Sequence, residues 1–491
     1  MMSDLKKIIF HPHTAILFIA FFAIRILSYF VAPHFLIQNI VSTLLVIFLV
    51  GIYFKKPEYA WYLVIAEIFL GGSGHFLELA GLSIRTLFLM VYIFLYTGHH
   101  LISKEKRKEI LIPHKLYILC GGFALAILWA AVNGMFKGND TRLIIQDVIP
   151  FAFFALLLPT HQILKDKNNH PFLIRLISVF ILGSAIFSLI TFILFSTGTT
   201  ILQGPYYKWF RDIVGGKLTD LGSGFWRIVT PEHLLILPIT LVIASLLMKK
   251  DAINKFLYFP LLACLCILTL NLSRGYFLAL VVALVILFYK HTFKKWLTTS
   301  AFVVATIGIL FCGIYFIASG GKSFGLEVFG LRLHSFTAPK IEESTYTRSA
   351  LLTPILQKFE THPILGSGLG STVTFVNPVS QRQITTPQFD WGYLEIATEF
   401  GLLGAILYFL LIGYIMYLTV LYIQTTTLHP DFLVGLLGGL GALLVTNLTA
   451  PALSHVFGVF YITIVIAIIL HSNDVWEKVK LKFTKLFHKF I

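Results

Sequence analysis

The sequence predicts an all-α fold, a polytopic transmembrane helix bundle of about 14 helices with one long extracytoplasmic loop that contains a helix. Two observations predict it. The chain is 57% hydrophobic and only 12% charged, against roughly 25% charged residues in an ordinary soluble domain. Apolar runs long enough to cross a bilayer, which takes about 20 residues each, recur along the whole chain. Most of the chain is therefore expected to face lipid.

The apolar runs give the helices in order. The first run follows Met1 to His13 and contains Arg25, and no small-residue cleavage site follows it. We interpret it as the first membrane helix and not as a removable signal peptide. The predicted helices span 14–32, 35–53, 59–79, 84–100, 116–133, 143–159, 172–196, 229–248, 256–271, 275–290, 296–317, 394–423, 431–448 and 456–471.

Lysine clusters set the predicted orientation. Fourteen helices place both termini on one side, and one missed helix would move every later loop to the other side. The clusters all fall on the side of the termini, which the positive-inside rule identifies as the cytoplasm. They are Lys6–Lys7, Lys55–Lys56, Lys104–Lys108, Lys165–Lys167, Lys249–Lys250, Lys290–Lys295 and the lysines of the basic tail, 473–491.

Several function classes are disfavoured. The net charge of +15 does not indicate nucleic-acid binding, because the lysines lie in short loops and form no patch with interleaved aromatic residues. Cys264 and Cys266 would point to different faces of a helix, which disfavours a metal or disulfide role. No predicted strand precedes Gly366, Gly368 and Gly370, so these glycines are expected to end a helix and turn the chain, not to bind a nucleotide.

Two loops on the outer side, 196–228 and 318–393, are long enough to carry function. Within the second, a helix is predicted from Thr345 to Thr361, with an apolar stripe of Leu351, Leu352, Ile355, Leu356 and Phe359. We divide the chain into N-terminal helices (1–223), helices with arginine motifs (224–317), the large loop (318–393), C-terminal helices (394–472) and the basic tail (473–491).

Arginines are concentrated on the predicted outer face, against the positive-inside rule. A guanidinium stays charged and matches diphosphate oxygens in bidentate geometry, so the arginines indicate an anionic, phosphate-bearing ligand. Pairing with nearby carboxylates, or contact with lipid headgroups, is the alternative for each of them. They are Arg142, Arg211, Arg227, Arg274, Arg332, Arg348 and Arg382.

Three charged residues fall inside apolar runs, namely Arg25, Glu67 and Glu78. A charge at this depth is costly unless it is paired or faces a cavity. Each is therefore either a structural partner of another charge, an interfacial residue or a substrate contact.

Four local patterns of the C-terminal half resemble the O-antigen ligase and O-antigen or exopolysaccharide polymerase superfamily, and they follow one another in the expected order. The first is Gly224-Phe225-Trp226-Arg227 with Pro231-Glu232-His233, and the second is Asn271-Leu272-Ser273-Arg274-Gly275. The third is Tyr346-Thr347-Arg348 followed by His362-Pro363 and the glycine turn to Gly370. The fourth is Asp390-Trp391-Gly392-Tyr393-Leu394-Glu395, which runs into Glu399-Phe400-Gly401.

The resemblance implies a glycosyltransferase of the bacterial plasma membrane. Its donor would be an oligosaccharide linked to undecaprenyl diphosphate at the outer face, and its acceptor a glycan or a lipid-linked glycan. Other polysaccharide-assembly membrane proteins are expected partners. No Asp-x-Asp element occurs, which predicts metal-independent transfer without a cofactor.

We expect Arg274 and Arg348 to compensate the charge of the diphosphate, with support from Arg227. Asp390 is the expected general base, because it stands where the ligases carry histidine followed by asparagine; this departure favours a polymerase over a ligase. Glu395 and Glu399 are rival carboxylates that share one helix face. His233 and His362 are further substrate-binding candidates, although His362 suits a helix-capping role as well.

A polysaccharide-lipid flippase or exporter is an alternative of another class, because it too would need about 14 helices and cationic residues. It would be expected to have short loops and arginines along a central cavity. The long outer loop favours the enzyme.

Overall fold

The structure, a computed structural model, describes residues 5–102, 114–249, 255–328, 330, 343–426 and 429–470. These residues are mostly α-helical, which confirms the predicted fold class, and each of the predicted helices has a counterpart. The helices are α1 Leu5–Ile9, α2 Pro12–Val31, α3 Phe35–Lys55, α4 Pro57–Leu70, α5 Ile84–Ile102, α6 His114–Phe136, α7 Thr141–Ala152, α8 Leu157–Leu164, α9 His170–Ser196, α10 Pro205–Asp212, α11 His233–Leu247, α12 Tyr258–Asn271, α13 Arg274–Leu287, α14 Phe293–Ala318, α15 Glu343–Thr361, α16 Gly392–Thr425, α17 Pro430–Thr446 and α18 Val456–Leu470.

The described helices have the length and surface of membrane spans. Seven are long and apolar enough to cross a bilayer, and shorter apolar helices accompany them. Large apolar side chains such as Phe54, Phe94 and Ile309 are exposed. Lipid accepts such side chains, whereas water does not. The chain is a multi-pass membrane protein. The basic tail and Lys104–Lys108 lie outside the described residues.

The third predicted helix was wrong in its second half, because α4 ends at Leu70 and not at residue 79. Gly72 and Gly74 follow with φ of +56° and +91°, left-handed values that favour glycine and that a helix does not contain. A short antiparallel hairpin then forms between β1 Glu78–Leu79 and β2 Leu82–Ser83.

Two further hairpins lie in the two long loops. β3 Lys217–Asp220 pairs with β4 Trp226–Val229 and places Thr219 opposite Arg227. β5 Val373–Val376 pairs with β6 Gln383–Thr386. The sequence analysis did not predict these hairpins, since strands of four residues give little periodicity.

The chain forms two compact units. The first comprises Met1–Glu109, Ala155–Ser273 and His291–Leu326, and the second comprises Ile110–Phe154, Arg274–Lys290 and Glu327–Ile491. In the first unit α9 packs against α2 and α12, while in the second α13 packs on α17 and α16 packs on α6 and α15. Each unit draws on several of the five predicted segments, so the linear division stays a prediction.

Aromatic packing fixes α16 in the second unit. Phe123 of α6 stacks on Tyr408 of α16 with ring centroids 4.2 Å apart, and Phe400 contacts both Phe123 and Phe151. Large aromatic side chains contribute strongly to such cores. This packing holds in place the helix that carries Glu395 and Glu399.

Candidate active site

The serine-arginine-glycine turn begins a helix at Arg274. Leu272 adopts a left-handed conformation with φ of 42° and caps α12, and α13 starts at Arg274. A Cβ on Gly275 would lie 2.3 Å from Thr449 Oγ1, so a larger residue beside Arg274 would require the Thr449 side chain to move. The Arg274 side chain donates a hydrogen bond from Nη2 to Thr345 Oγ1, which ties the turn to the start of α15.

The first two turns of α15 bring an arginine next to the predicted base. Arg348 follows Thr345 by three residues, so both side chains lie on one face of the helix. Arg348 Nε lies 3.6 Å from Asp390 Oδ2, and the two side chains are 32% and 38% exposed. Arg274, Arg348 and Asp390 are thus grouped around the start of α15 in the second unit.

A small apolar core fixes α15 on the loop that follows it. Leu351 and Ile355 are buried against Val373, Phe375 and Phe389, with Trp391 packed at the edge. The predicted helix is confirmed. Within its apolar stripe, Leu351 and Ile355 are buried, whereas Leu356 is 39% exposed.

Asp390 occupies a defined backbone position immediately before α16. Its φ is +56°, a left-handed value that aspartate and asparagine tolerate better than most residues. The next residue, Trp391, donates a hydrogen bond from Nε1 to the backbone oxygen of Arg348 at 3.1 Å. Trp391 therefore fixes the distance between the arginine and the carboxylate.

Glu395 supports the backbone on the other side of Asp390. One of its carboxylate oxygens accepts a hydrogen bond from the Phe389 backbone N–H at 3.4 Å, and the other accepts one from Ser454 Oγ at 3.0 Å. The Glu395 side chain, which was predicted to contact substrate, therefore holds the backbone next to Asp390. Substrate binding by Glu395 itself stays a prediction.

Comparison with known proteins bears on this group of residues. Residues 259–409 match the family model described as O-Antigen ligase. This part of the chain is similar to the O-antigen ligase family. The match confirms the resemblance over Arg274, Arg348, the glycine turn and Asp390, whereas Arg227 and His233 lie before it. A search of the curated proteins finds no match to the chain.

Within the matched residues 259–409, the glycine turn fits into a break in α16. Gly401 has φ of 68° and ψ of 179°, which interrupts the helix. The backbone groups left over at the break pair with the turn: Ser367 N donates to Thr398 O at 2.7 Å, and Leu402 N donates to Pro363 O at 2.8 Å. Backbone groups inside a membrane protein need such partners.

The glycines of the turn are required by close approach. Gly366, Gly368 and Gly370 all have positive φ, and a Cβ on Gly366 would lie 2.2 Å from Glu399 O. The prediction that they turn the chain is confirmed. Asn133 fastens the turn by donating to Gly366 O at 2.9 Å, and Asn139 by donating to Leu369 O at 2.8 Å.

Glu399 belongs to the scaffold beneath this turn. Its side chain is 4% exposed and shares a hydrogen bond with the side chain of Asp147. Asp147 also accepts a hydrogen bond from the Gly370 backbone N–H at 2.7 Å.

His362 follows the last residue of α15. Its Nδ1 lies 2.9 Å from Thr361 Oγ1, and its Nε2 contacts Lys137 Nζ. The histidine therefore joins the end of α15 to the end of α6. This placement suits the helix-end role that the sequence analysis allowed, and substrate binding by His362 stays a prediction.

Arg227 and His233 both attach to Asn271 in the first unit. Arg227 Nε donates to the Asn271 backbone oxygen at 2.7 Å, and the Asn271 side-chain amide donates to His233 Nδ1 at 2.9 Å. His233 is fully buried. The structure places both residues in support of the end of α12, and their contact with substrate stays a prediction.

The charged residues inside the apolar runs are structurally paired. Arg25 lies 3.0 Å from Glu232, and Glu67 lies 2.7 Å from Arg85. Glu78 lies 2.8 Å from His75, and the hydrogen bond from this histidine lowers the pKa of the Glu78 carboxyl. Of the three alternatives for Arg25, Glu67 and Glu78, the structure supports pairing with another charged or titratable side chain.

Sequence reasoning missed several residues that build the site. Trp391 was noted only as a departure from the ligases, and Asn133, Asn139 and Asp147 were not singled out. For Asn133 and Asn139 the signal was the polar stretch Asn-Gly-Met-Phe-Lys-Gly-Asn-Asp, residues 133–140, which follows the apolar run of α6.

Proposed function

We propose that the protein is a membrane glycosyltransferase that polymerises oligosaccharide repeats linked to undecaprenyl diphosphate at the outer face of the bacterial plasma membrane. The match of residues 259–409 to the O-antigen ligase family model supports an O-antigen ligase- or polymerase-like membrane function. The donor, the side of the membrane and the polymerase role are our inference. The lysine-rich loops support a protein with both termini in the cytoplasm.

The observation that carries the proposal is the approach of Arg348 to Asp390. An arginine and a carboxylate 3.6 Å apart, each about one-third exposed, are too far apart for a direct hydrogen bond. Both groups are therefore open to a ligand. Such a pair offers a donor for a phosphate oxygen beside an acceptor for a hydroxyl proton.

The proposed reaction is a direct displacement. The acceptor hydroxyl oxygen attacks the anomeric carbon of the donor, and a new carbon–oxygen bond forms as the bond to the diphosphate breaks. The hydroxyl proton passes to Asp390, which later releases it to water. The lipid diphosphate departs with the electron pair of the broken bond.

The arginines would act on the departing group. Negative charge grows on the diphosphate in the transition state, and fixed cationic donors stabilise it more than they stabilise the ground state. Arg348 is held by Trp391, and Arg274 reaches the same helix start through Thr345. Arg227 remains a supporting candidate from the first unit.

The family description favours a second candidate, a ligase that moves finished glycan to another lipid acceptor. The two activities share the donor chemistry and differ in the acceptor. Asp390-Trp391 in place of histidine-asparagine leads us to prefer the polymerase. Supplying the purified protein with donor alone, or with donor and a lipid-core acceptor, separates the two by the product formed.

The test against a flippase uses detergent solution, in which no second compartment exists. Purified protein is mixed with lipid-linked repeats, and the glycan length is followed by gel electrophoresis. An enzyme lengthens the glycan under these conditions, whereas a transporter leaves single repeats unchanged. If protein that is folded in detergent lengthens no glycan, the proposal is overturned.

A further inference from the structure

A polar pocket of about 430 Å³ lies between the ends of α6 and α15 in the second unit. Three of its lining residues can carry positive charge: Lys137, Lys358 and His362. The others are neutral and polar, namely Asn139, Gln357, Thr361 and Ser367. The described lining thus contains neither a carboxylate nor an apolar side chain. Such a lining suits a hydrophilic, negatively charged ligand.

The hydrogen bonds around His362 position the ammonium group of Lys137. The Thr361 hydroxyl donates to Lys358 O at 2.7 Å, so it accepts from His362 Nδ1. His362 Nε2 is then the acceptor for Lys137 Nζ. A lysine has three donors, and this contact uses one of them. The cationic charge of Lys137 is held in place and is not neutralised.

Lys358 is a partly buried residue of the same pocket lining. It donates a hydrogen bond to Thr372 O at 2.7 Å. Burial lowers the pKa of Lys358, while the nearby Glu399 acts in the other direction. Among the described residues neither Lys358 nor Lys137 forms an ion pair. A bound anion would offset the loss of hydration.

The pocket is distant from the proposed reaction centre. Lys358 follows Arg348 by ten residues on α15, which corresponds to about 15 Å along a helix. The diphosphate is bonded to the reacting carbon and must lie at the reaction centre. An anion bound in this pocket would therefore belong to another part of the substrate.

We propose that this pocket is a subsite for an acidic sugar of the glycan, held through its carboxylate by Lys137 and Lys358. The amides and hydroxyls of Asn139, Gln357, Thr361 and Ser367 match the hydroxyls of a sugar ring. The inference rests on the proposed function for the origin of the glycan. It implies that the repeat unit is anionic.

The test measures binding and needs no turnover. Full-length protein in neutral-lipid nanodiscs is titrated with a fluorescently labelled oligogalacturonate, and a neutral dextran oligomer of equal length is the comparison. We expect the acidic probe to bind more tightly than the neutral dextran, and its affinity to fall as the salt concentration rises. Lys137→Gln and Lys358→Gln should each weaken it by about tenfold, the effect of losing one charge-assisted hydrogen bond. Lys322→Gln, an exposed lysine of the first unit, should leave binding unchanged.

Equal binding of both probes, or unchanged binding by folded Lys137→Gln and Lys358→Gln, would overturn the subsite. The titration is repeated with the protein in nanodiscs that contain phosphatidylglycerol. If this lipid displaces the probe, the pocket binds a lipid headgroup and the proposed sugar subsite is overturned. Arg348→Ala should bind the probe as the parent protein does. Glycan lengthening and probe binding are thus separate readouts. Lengthening tests the proposed function, and probe binding tests the subsite.

Discussion

Arg348 Nε lies 3.6 Å from Asp390 Oδ2, and these residues are 42 positions apart in the chain. Trp391 bridges them through its hydrogen bond to the Arg348 backbone. The relationship joins the start of α15 to the start of α16. It gives the candidate active site a cation and a carboxylate in one fixed arrangement.

The fork geometry of Arg348 is expected to matter as well as its charge. Lysine keeps the charge but cannot bind a diphosphate in bidentate fashion. Arg348→Lys should therefore lower kcat/KM, and Arg348→Ala should lower it further, by about 10²–10³-fold. Steady-state kinetics of glycan lengthening measures both. Arg211→Lys, in an exposed pair with Asp212, is the matched control and should match the parent protein.

Trp391 is expected to act by positioning. Trp391→Phe removes the hydrogen bond to Arg348 O, a loss of about 0.5–1.5 kcal/mol, and lets the arginine move. We predict a lower kcat with a small change in Tm. Tyr393→Phe is the control, because the Tyr393 hydroxyl also donates to a backbone oxygen, that of Leu444. Equal kcat values for the two variants would show that the Trp391 contact has no role in catalysis.

The break in α16 is expected to depend on Gly401. Its φ and ψ of 68° and 179° belong to a region that only glycine populates, at a cost of roughly 1–3 kcal/mol for other residues. A Cβ there would also lie 2.3 Å from Ile364 O. Gly401→Ala should lower the Tm in detergent. Gly413→Ala, in the same helix with open space around it, should leave the Tm unchanged or raise it.

The buried pair of Arg25 and Glu232 is expected to be strongly coupled. Both side chains are at most 2% exposed, so Glu232→Gln leaves an uncompensated charge, a loss of about 3–5 kcal/mol in the free energy of unfolding. The double variant Arg25→Met/Glu232→Gln should lose less than the sum of the single variants. Denaturation in SDS measures the cycle. Additive losses in the free energy of unfolding would mean that the pair is not coupled. The exposed pair of Arg211 and Asp212 is the control and should show no coupling.

The helices were predictable because each apolar run must hydrogen-bond its backbone internally to cross a bilayer. The end of α4 was missed although Gly71-Gly72-Ser73-Gly74 signalled it, because hydrophobicity alone decided the boundary. The break at Gly401 could not be predicted, since its partners Pro363 to Gly368 lie more than thirty residues earlier.

The site was predictable only in part. Arg274, Arg348 and Asp390 came from the resemblance, and no local pattern indicates that Arg348 and Asp390 meet. The roles of Glu395 and Trp391 depend on Phe389, Ser454 and the Arg348 backbone. Such contacts follow from tertiary packing, which a single sequence does not display.

The most direct test of the central claim is the rate of glycan lengthening by Asp390→Asn. Asparagine tolerates the left-handed backbone and keeps the shape of the side chain, so the change removes only the base. We predict a fall of about 10²–10⁴-fold in kcat, with the Tm of the parent protein, while Asp212→Asn lengthens glycan normally. A folded Asp390→Asn protein that gives the parent rate and chain-length distribution would contradict the account.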